Sequence, residues 1–142
     1  MATYISNSEE QTQALGEQWG REARTGWVIG LTGNLGAGKT QLVKGLARGL
    51  GIASRIQSPT FALINEHREG RLPLFHLDLY RLENRDQIIT AGLEPYLIRP
   101  DGVSVVEWID RWLEDDSFAY RRVEIRIIGE AEREIIYEDF SC

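Results

Sequence analysis

Trp27-Val28-Ile29-Gly30-Leu31-Thr32-Gly33-Asn34-Leu35-Gly36-Ala37-Gly38-Lys39-Thr40 is the stretch that decides how this chain folds. Its second half, Gly33 to Thr40, fits the pattern G-x-x-x-x-G-K-[ST], a loop that cradles phosphate. The chemistry demands these residue types. Glycines let consecutive backbone N–H groups turn toward one point and form a nest for anionic oxygens. Lys39 can then reach the β- and γ-phosphates, and the Thr40 hydroxyl can ligate Mg2+. Average residue usage would produce such a match in about one chain in two hundred of this length, and the flanks lower the odds further. Trp27–Thr32 reads as a short buried strand, whereas Leu42, Val43, Leu46, Ala47 and Leu50 recur with the spacing of one helix face. Strand, glycine-rich loop and helix is the context the motif needs, and the helix N-terminus adds its own attraction for anions. Gly33 through Thr40, with Gln41 beside it, is therefore expected to bind a nucleotide.

The remaining composition narrows the setting. A chain of 142 residues suits one domain, large enough for a three-layer core and too short for two. No apolar run approaches the roughly 18 residues that span a bilayer. Met1–Gln11 lacks the basic start and apolar segment of a secretory signal, so a cytoplasmic location is expected. Cys142 is the only cysteine, which excludes an intramolecular disulfide and a cysteine-based zinc site. The net charge is −6, and Arg121, Arg122 and Arg126 are interleaved with acids, so direct nucleic-acid binding is not expected of this chain.

Taken in order, Thr3–Ser6 reads as a short edge strand. Ser6 with Glu9, or Ser8 with Gln11, offers a capping-box start for a helix that carries Leu15 and Trp19 on one face and stops by Gly26. Thr12 on that helix has two readings, a solvated polar side chain or a contact to the nucleotide base. The helix after the loop ends near Leu50-Gly51, where glycine supplies a left-handed cap. Gly45 within it costs about 1 kcal/mol against alanine, unless close packing on the sheet requires it. In Ser58-Pro59-Thr60-Phe61 the proline extends Ser58 and presents the Thr60 hydroxyl. A threonine there can sense the γ-phosphate through Mg2+.

Phe61–Glu66 and Leu72–Leu77 predict a β-hairpin that delivers His76-Leu77-Asp78-Leu79-Tyr80-Arg81 at its end. Alternation puts His76, Asp78 and Tyr80 on one face and Leu77 and Leu79 on the other. A histidine or tyrosine in that place is ordinarily structural. Asp78 is the functional candidate, since a carboxylate can order a water or stand near Mg2+. Asn84–Ala91 predicts a short helix stopped by Gly92, with another turn over Leu93–Ile98. Val103-Ser104-Val105-Val106-Glu107 is a buried strand ending on an acid, which places the carboxylate at the sheet edge where ligands bind. Glu107 can hold Mg2+ or polarise the attacking water. Trp108 is either a core anchor or a flat partner near the nucleotide. Asp110, Arg111 and Glu114-Asp115-Asp116 read as a solvated loop and short helix. Arg122–Ile128 and Arg133–Phe140 predict an antiparallel hairpin closing the sheet edge. The expected architecture is thus one three-layer α/β domain over residues 1–142, a central mixed sheet with antiparallel hairpins at its edges.

Three nucleotide-handling classes remain to be separated. A regulatory GTPase needs an N-K-x-D segment, which is absent. A small-molecule kinase needs an arginine-bearing lid and an acceptor pocket, yet Gly92–Trp112 contains only Arg99 and Arg111. A hydrolytic switch needs the loop, a sensing threonine, a strand-end acid and a partner, and it fits best. A metabolite kinase and a non-hydrolytic interaction module are the rivals.

The loop, Ser58-Pro59-Thr60-Phe61, His76-Leu77-Asp78-Leu79-Tyr80-Arg81 and Val106-Glu107-Trp108, in this order and spacing, resemble the TsaE (YjeE) family of small bacterial ATPases. The resemblance covers nearly the whole chain. It implies a P-loop fold, an ATP site with Mg2+, and a role in forming threonylcarbamoyladenosine beside the tRNA anticodon. TsaD and TsaB are the implied protein partners, with tRNA met only through that complex and no membrane association. On this reading Lys39 and Thr40 hold phosphate and Mg2+, Thr60 is the switch residue, and Asp78 and Glu107 are the acids around metal and water. Thr12 and Trp108 lie where the nucleotide pocket is completed. Asn34 replaces an aspartate common in the family at a position whose side chain is not a predicted phosphate ligand.

Overall fold

The computed structural model describes residues 1–33, 38–57, 59, 62–112 and 119–140. Those residues build one seven-stranded mixed sheet in the order β1-β7-β6-β2-β5-β4-β3. Its strands are β1 (Ala2–Ser6), β2 (Val28–Gly33), β3 (Ile64–His67), β4 (Leu74–Asp78), β5 (Val103–Glu107), β6 (Tyr120–Ile127) and β7 (Arg133–Phe140). The three central pairings, β6 on β2, β2 on β5 and β5 on β4, are parallel. The outer ones are antiparallel. Among the described residues four helices flank the sheet: α1 (Glu9–Glu22), α2 (Lys39–Gly49), α3 (Arg85–Thr90) and α4 (Glu94–Leu97).

Strand alternation divides the core in two. Ile29, Leu31, Leu74, Val103, Val105, Val123 and Ile125 pack with Leu15, Trp19, Leu42, Val43 and Leu46 of α1 and α2. Their neighbours Val28, Phe75, Leu77 and Val106 point the other way, onto Ile88, Leu93, Leu97, Ile109 and Trp112. A parallel strand covered on both faces must be apolar nearly throughout, and β4 and β5 are buried along their entire length. The arrangement is the expected three-layer α/β fold.

Local signals account for the helix boundaries. Ser8 caps α1, its Oγ accepting from the Gln11 N–H at 3.1 Å, while Gln11 Oε1 accepts from the Asn7 N–H at 2.7 Å. These are the exchanged bonds of a capping box, shifted by one residue. Gly51 follows the end of α2 with φ +80° and Gly92 follows α3 with the same value, the left-handed stops glycine permits.

Gly45 departs from expectation. It serves the contact between α1 and α2 and not a contact with the sheet: a Cβ there would lie 2.0 Å from the Gln13 carbonyl oxygen. Gly16, Gly20 and Gly49 make similar approaches along the same seam. In an open helix Gly45→Ala would gain about 1 kcal/mol from propensity. Here it is expected to lose about 1–3 kcal/mol from overpacking. Urea unfolding reads the sign directly.

Three other boundaries were misjudged. The strand expected from Phe61 starts at Ile64, because Leu63 takes φ +69° and breaks the extended run; Phe61 itself lies outside the described residues. Its partner starts at Leu74, after Pro73, which has no N–H for the ladder. The β6–β7 hairpin does not close the sheet, since β1 adds outside β7 with Ala2 opposite Tyr137. Glu114-Asp115-Asp116 lies outside the described residues, and the turn before it is a 3₁₀ turn, Ile109–Arg111.

Arg121 ties α1 to this part of the sheet. Its guanidinium lies over Trp19, Trp27 and Tyr137, 4.9–5.3 Å from their ring centroids, and pairs with Asp139 at 2.6 Å. That hydrogen bond holds the Asp139 carboxyl below its usual range. A depressed carboxylate adds stability above its unfolded pKa, near ~3.9, and loses it as pH falls through the lower folded value. The Asp139 side chain is 65% exposed, so the pair is worth at most about 1 kcal/mol. Asp139→Asn is expected to cost no more than that at pH 7. The cost should fade as pH drops through the lowered carboxyl value, where the parent's carboxylate is itself neutralised; urea unfolding at pH 7 and in acid measures it.

Candidate nucleotide site

The site grows from the parity of the strands. Gly33 ends β2, Glu107 ends β5 and Asp78 ends β4, and all three lie on the face that carries Ile29, Val105 and Leu74, toward α2. Parallel pairing brings Leu31 and Asp78 to either side of Glu107 in register. The Leu79 N–H closes the gap between strand ends by donating to the Glu107 carbonyl at 3.1 Å. Three parallel strands thus present their C-terminal ends, where α/β folds bind ligands.

Onto this edge α2 brings Lys39 and Thr40. Gly38 caps the helix with φ +103° and no side-chain bond, which leaves its first N–H groups facing the edge. Lys39 is almost buried, at 8% side-chain exposure. Its Nζ donates to the Gly33 carbonyl at 3.2 Å and stands 3.8 Å from Glu107 Oε1. The other Glu107 oxygen, Oε2, lies 2.7 Å from Nε2 of His76, which is fully buried. A lysine, a glutamate and a histidine therefore form a contiguous cluster at the helix N-terminus. Asp78, also buried, accepts from the Tyr80 N–H at 2.9 Å, which fixes its carboxylate beside the cluster.

Around the cluster lies a cavity of about 450 Å3 lined by Ser8, Thr12, Gly38, Lys39, Thr40, Gln41 and Glu107, with Glu130, Ala131 and Arg133 of the β6–β7 turn closing it. Of the expected site residues, Thr12, Gly38, Lys39, Thr40, Gln41 and Glu107 line this one cavity. Gln41 lines the cavity, but its Oε1 is taken by Gln13 Nε2 at 2.6 Å. The solvated reading of Thr12 fails: it is 2% exposed and its Oγ1 shares a hydrogen bond with Ser6 Oγ at 2.7 Å. Asn34, Leu35, Gly36, Ala37 and Thr60 lie outside the described residues.

Trp108 is partly buried against the apolar layer in which Trp112, at 3% exposure, is the buried tryptophan. Trp108 takes φ +60° directly after Glu107, with its ring 5.7 Å from Lys39 Nζ and 5.0 Å from the Tyr80 ring. It borders a neighbouring hollow with Glu83, Arg85 and Arg111. Tyr80 leaves the expected face, because β4 ends at Asp78, and it is 53% exposed.

Sequence reasoning missed the turn. Arg133 Nη1 donates to the carbonyls of Gly129, Glu130 and Glu132 at 2.9–3.4 Å, which shapes the cavity wall. The available signal was its parity with Ile135, which puts a basic side chain on the apolar face of β7. Among the described residues no group of three His, Cys, Asp or Glu side chains could cage a metal. Mg2+ does not need one, since it binds through one or two protein oxygens and substrate phosphates. The Thr40 hydroxyl and the Glu107 carboxylate fit that hard-oxygen demand.

A strand, a glycine-rich loop and a helix beside a strand ending in a buried acid define a P-loop α/β protein. Comparison with known proteins narrows this. Residues 6–135 match the model of the family described as "Threonylcarbamoyl adenosine biosynthesis protein TsaE", and the chain belongs to that family. It is 44% identical over 138 residues to the tRNA threonylcarbamoyladenosine biosynthesis protein TsaE of Nostoc sp., covering 94% of this chain and 83% of that one. The Bacillus subtilis protein of the same name is 41% identical, with 90% and 79% covered. The crystal structure of YdiB from Bacillus subtilis superposes with a TM-score of 0.80 at 34% identity, over 99% of this chain and 86% of that one.

Proposed function

We propose that this chain is a Mg2+-dependent ATP hydrolase serving formation of the threonylcarbamoyl group on the adenosine beside the tRNA anticodon. It acts with TsaD and TsaB, and hydrolysis resets their complex without itself transferring the group. One observation carries the reading: Lys39 of the P-loop pairs with Glu107 at a buried sheet edge, next to Asp78. Family membership supports the pathway.

The chain's own residues divide the work. The uncapped N-terminus of α2 and Lys39 bind the phosphates, and Lys39 must leave Glu107 to do so. Thr40 and Glu107 would hold Mg2+, which when bound neutralises charge developing on the phosphates. Glu107 then accepts a hydrogen bond from the attacking water, and Asp78 orders that water from the adjacent strand. Ser8, Thr12 and the turn around Arg133 line the same cavity and would receive the nucleoside. Arg133 is the arginine lining the cavity among the described residues, and its guanidinium serves its own turn. Turnover by the chain alone is therefore weak, and a partner supplies the missing cation.

With a formal charge of −6, the chain meets tRNA only through the complex. No helix among the described residues is long and apolar enough to cross a membrane. The test is ATP hydrolysis measured for the chain alone and with purified TsaB, TsaD and tRNA. Strong stimulation by the complex is expected. Phosphate transfer to a metabolite with no partner present would replace this reading with a kinase.

A further inference from the structure

We propose that His76 is a positioning residue for Glu107, holding its carboxylate in place once Lys39 has moved to the phosphates. The inference rests on the hydrolytic reading above and goes beyond it, because nothing in that reading uses His76. Glu107 divides its two oxygens between two partners. Oε1 faces Lys39 Nζ at 3.8 Å and Oε2 faces His76 Nε2 at 2.7 Å. A phosphate that draws Lys39 away removes the first partner. Without a second anchor the carboxylate would then turn about its side-chain bonds as Oε1 takes up Mg2+ or faces a water. His76 sits on β4 opposite Val105 of β5, a register that fixes its backbone beside the end of β5 independently of Lys39.

The ordinary alternative is a histidine that merely fills the core. Two observations weigh against it. Its neighbours Leu74, Phe75 and Leu77 fill their places with apolar side chains at 0–2% exposure, and an apolar residue at 76 would pack without leaving a polar atom to satisfy. Moreover, His76 Nδ1 is buried with no hydrogen-bond partner among the described residues. Buried polar atoms are nearly always paired, and an orphan carries a desolvation cost. That cost is tolerated here for one bond, the one Nε2 makes to Glu107. Residues behind a catalytic or metal-binding carboxylate commonly act in this way, and their loss commonly costs about 10–100-fold.

The test uses the full chain with His76→Leu and His76→Gln, each also combined with Glu107→Gln. A glutamine amide nitrogen reaches as far from the backbone as imidazole Nε2 and can donate the same bond, whereas leucine cannot. Single-turnover ATP hydrolysis should fall about 10–100-fold in His76→Leu. Affinity for ADP without divalent cation should stay within about twofold, because the loss lies after binding. His76→Gln should recover most of the rate. In the Glu107→Gln background His76→Leu should cost nothing further, because His76 acts only through Glu107.

Wild-type turnover in His76→Leu, equal defects in the leucine and glutamine variants, or losses that multiply with Glu107→Gln would each overturn the proposal. If His76→Leu does not fold, His76→Asn against His76→Gln carries the comparison, since the asparagine amide reaches only as far as Nδ1. If the parent chain hydrolyses no ATP even with partners, the ATPase reading falls by itself. His76 is then judged by thermal midpoints of the same variants without nucleotide, where additive shifts at 76 and 107 would overturn the pairing.

Discussion

Lys39→Ala is expected to abolish nucleotide binding at any practical concentration and to reduce hydrolysis at least about a hundredfold. The size follows from what Lys39 does at the edge. It is the buried ammonium whose Nζ reaches both the Gly33 carbonyl and Glu107. Its removal takes a charge-assisted contact from the phosphates and leaves Glu107, among the described residues, with His76 alone. An uncompensated buried acid also destabilises the nucleotide-free chain, so the thermal midpoint should fall as well. Lys39→Met separates the effects, because it restores most of the packing but no charge. Equilibrium titration with ADP and a phosphate-release assay measure the outcome. Unchanged turnover in a folded Lys39 variant would sink the assignment of this loop.

Glu107→Gln is expected to split binding from chemistry. Hydrolysis should fall about 10²–10⁴-fold, the usual worth of a positioned general base. Binding of ADP without divalent cation should tighten, and the reason is linkage. In the parent chain the phosphates compete with Glu107 for Lys39, and in the variant they do not. The same logic applies to stability. Lys39 in nucleotide-free Glu107→Gln loses its charged partner and keeps the Gly33 carbonyl, so the midpoint should drop, and ADP should raise it by more than in the parent. Calorimetric titration and thermal melts with and without ADP test both halves. A variant that hydrolyses normally would remove Glu107 from the mechanism.

Much of this site was legible in the chain. The loop, the strand before it and the helix after it lie within a single run, and their glycines and apolar spacing are local constraints. The capping of α1 by Ser8, the stop at Gly51 and the strand Val103–Glu107 ending on an acid were legible for the same reason. The face shared by His76 and Asp78 followed from simple alternation. Misreadings and open readings arose where a neighbour distant in sequence decided the matter. Gly45 looked like a sheet contact because a helix pattern does not say which element lies opposite; α1 does. Thr12 stayed open between solvent and nucleotide because its burial depends on Ser6, on the strand that α1 packs back onto. Trp108 stayed open between core and pocket, and the structure gives it both sides, partly buried against the core with its ring beside Lys39 and Tyr80.

Sequence by itself determined the class of this protein: a phosphate cradle on a strand–loop–helix unit, a buried strand ending on Glu107, and motifs that carry the family. Backbone preference, capping and side-chain alternation act over a few residues, so they survive in the linear order. Only tertiary structure decided that Lys39, Glu107 and His76 form one cluster and that the turn before Arg133 walls the cavity. Those contacts depend on strand order and register between segments 31 to more than 90 residues apart, and no local rule encodes which strand will lie beside which.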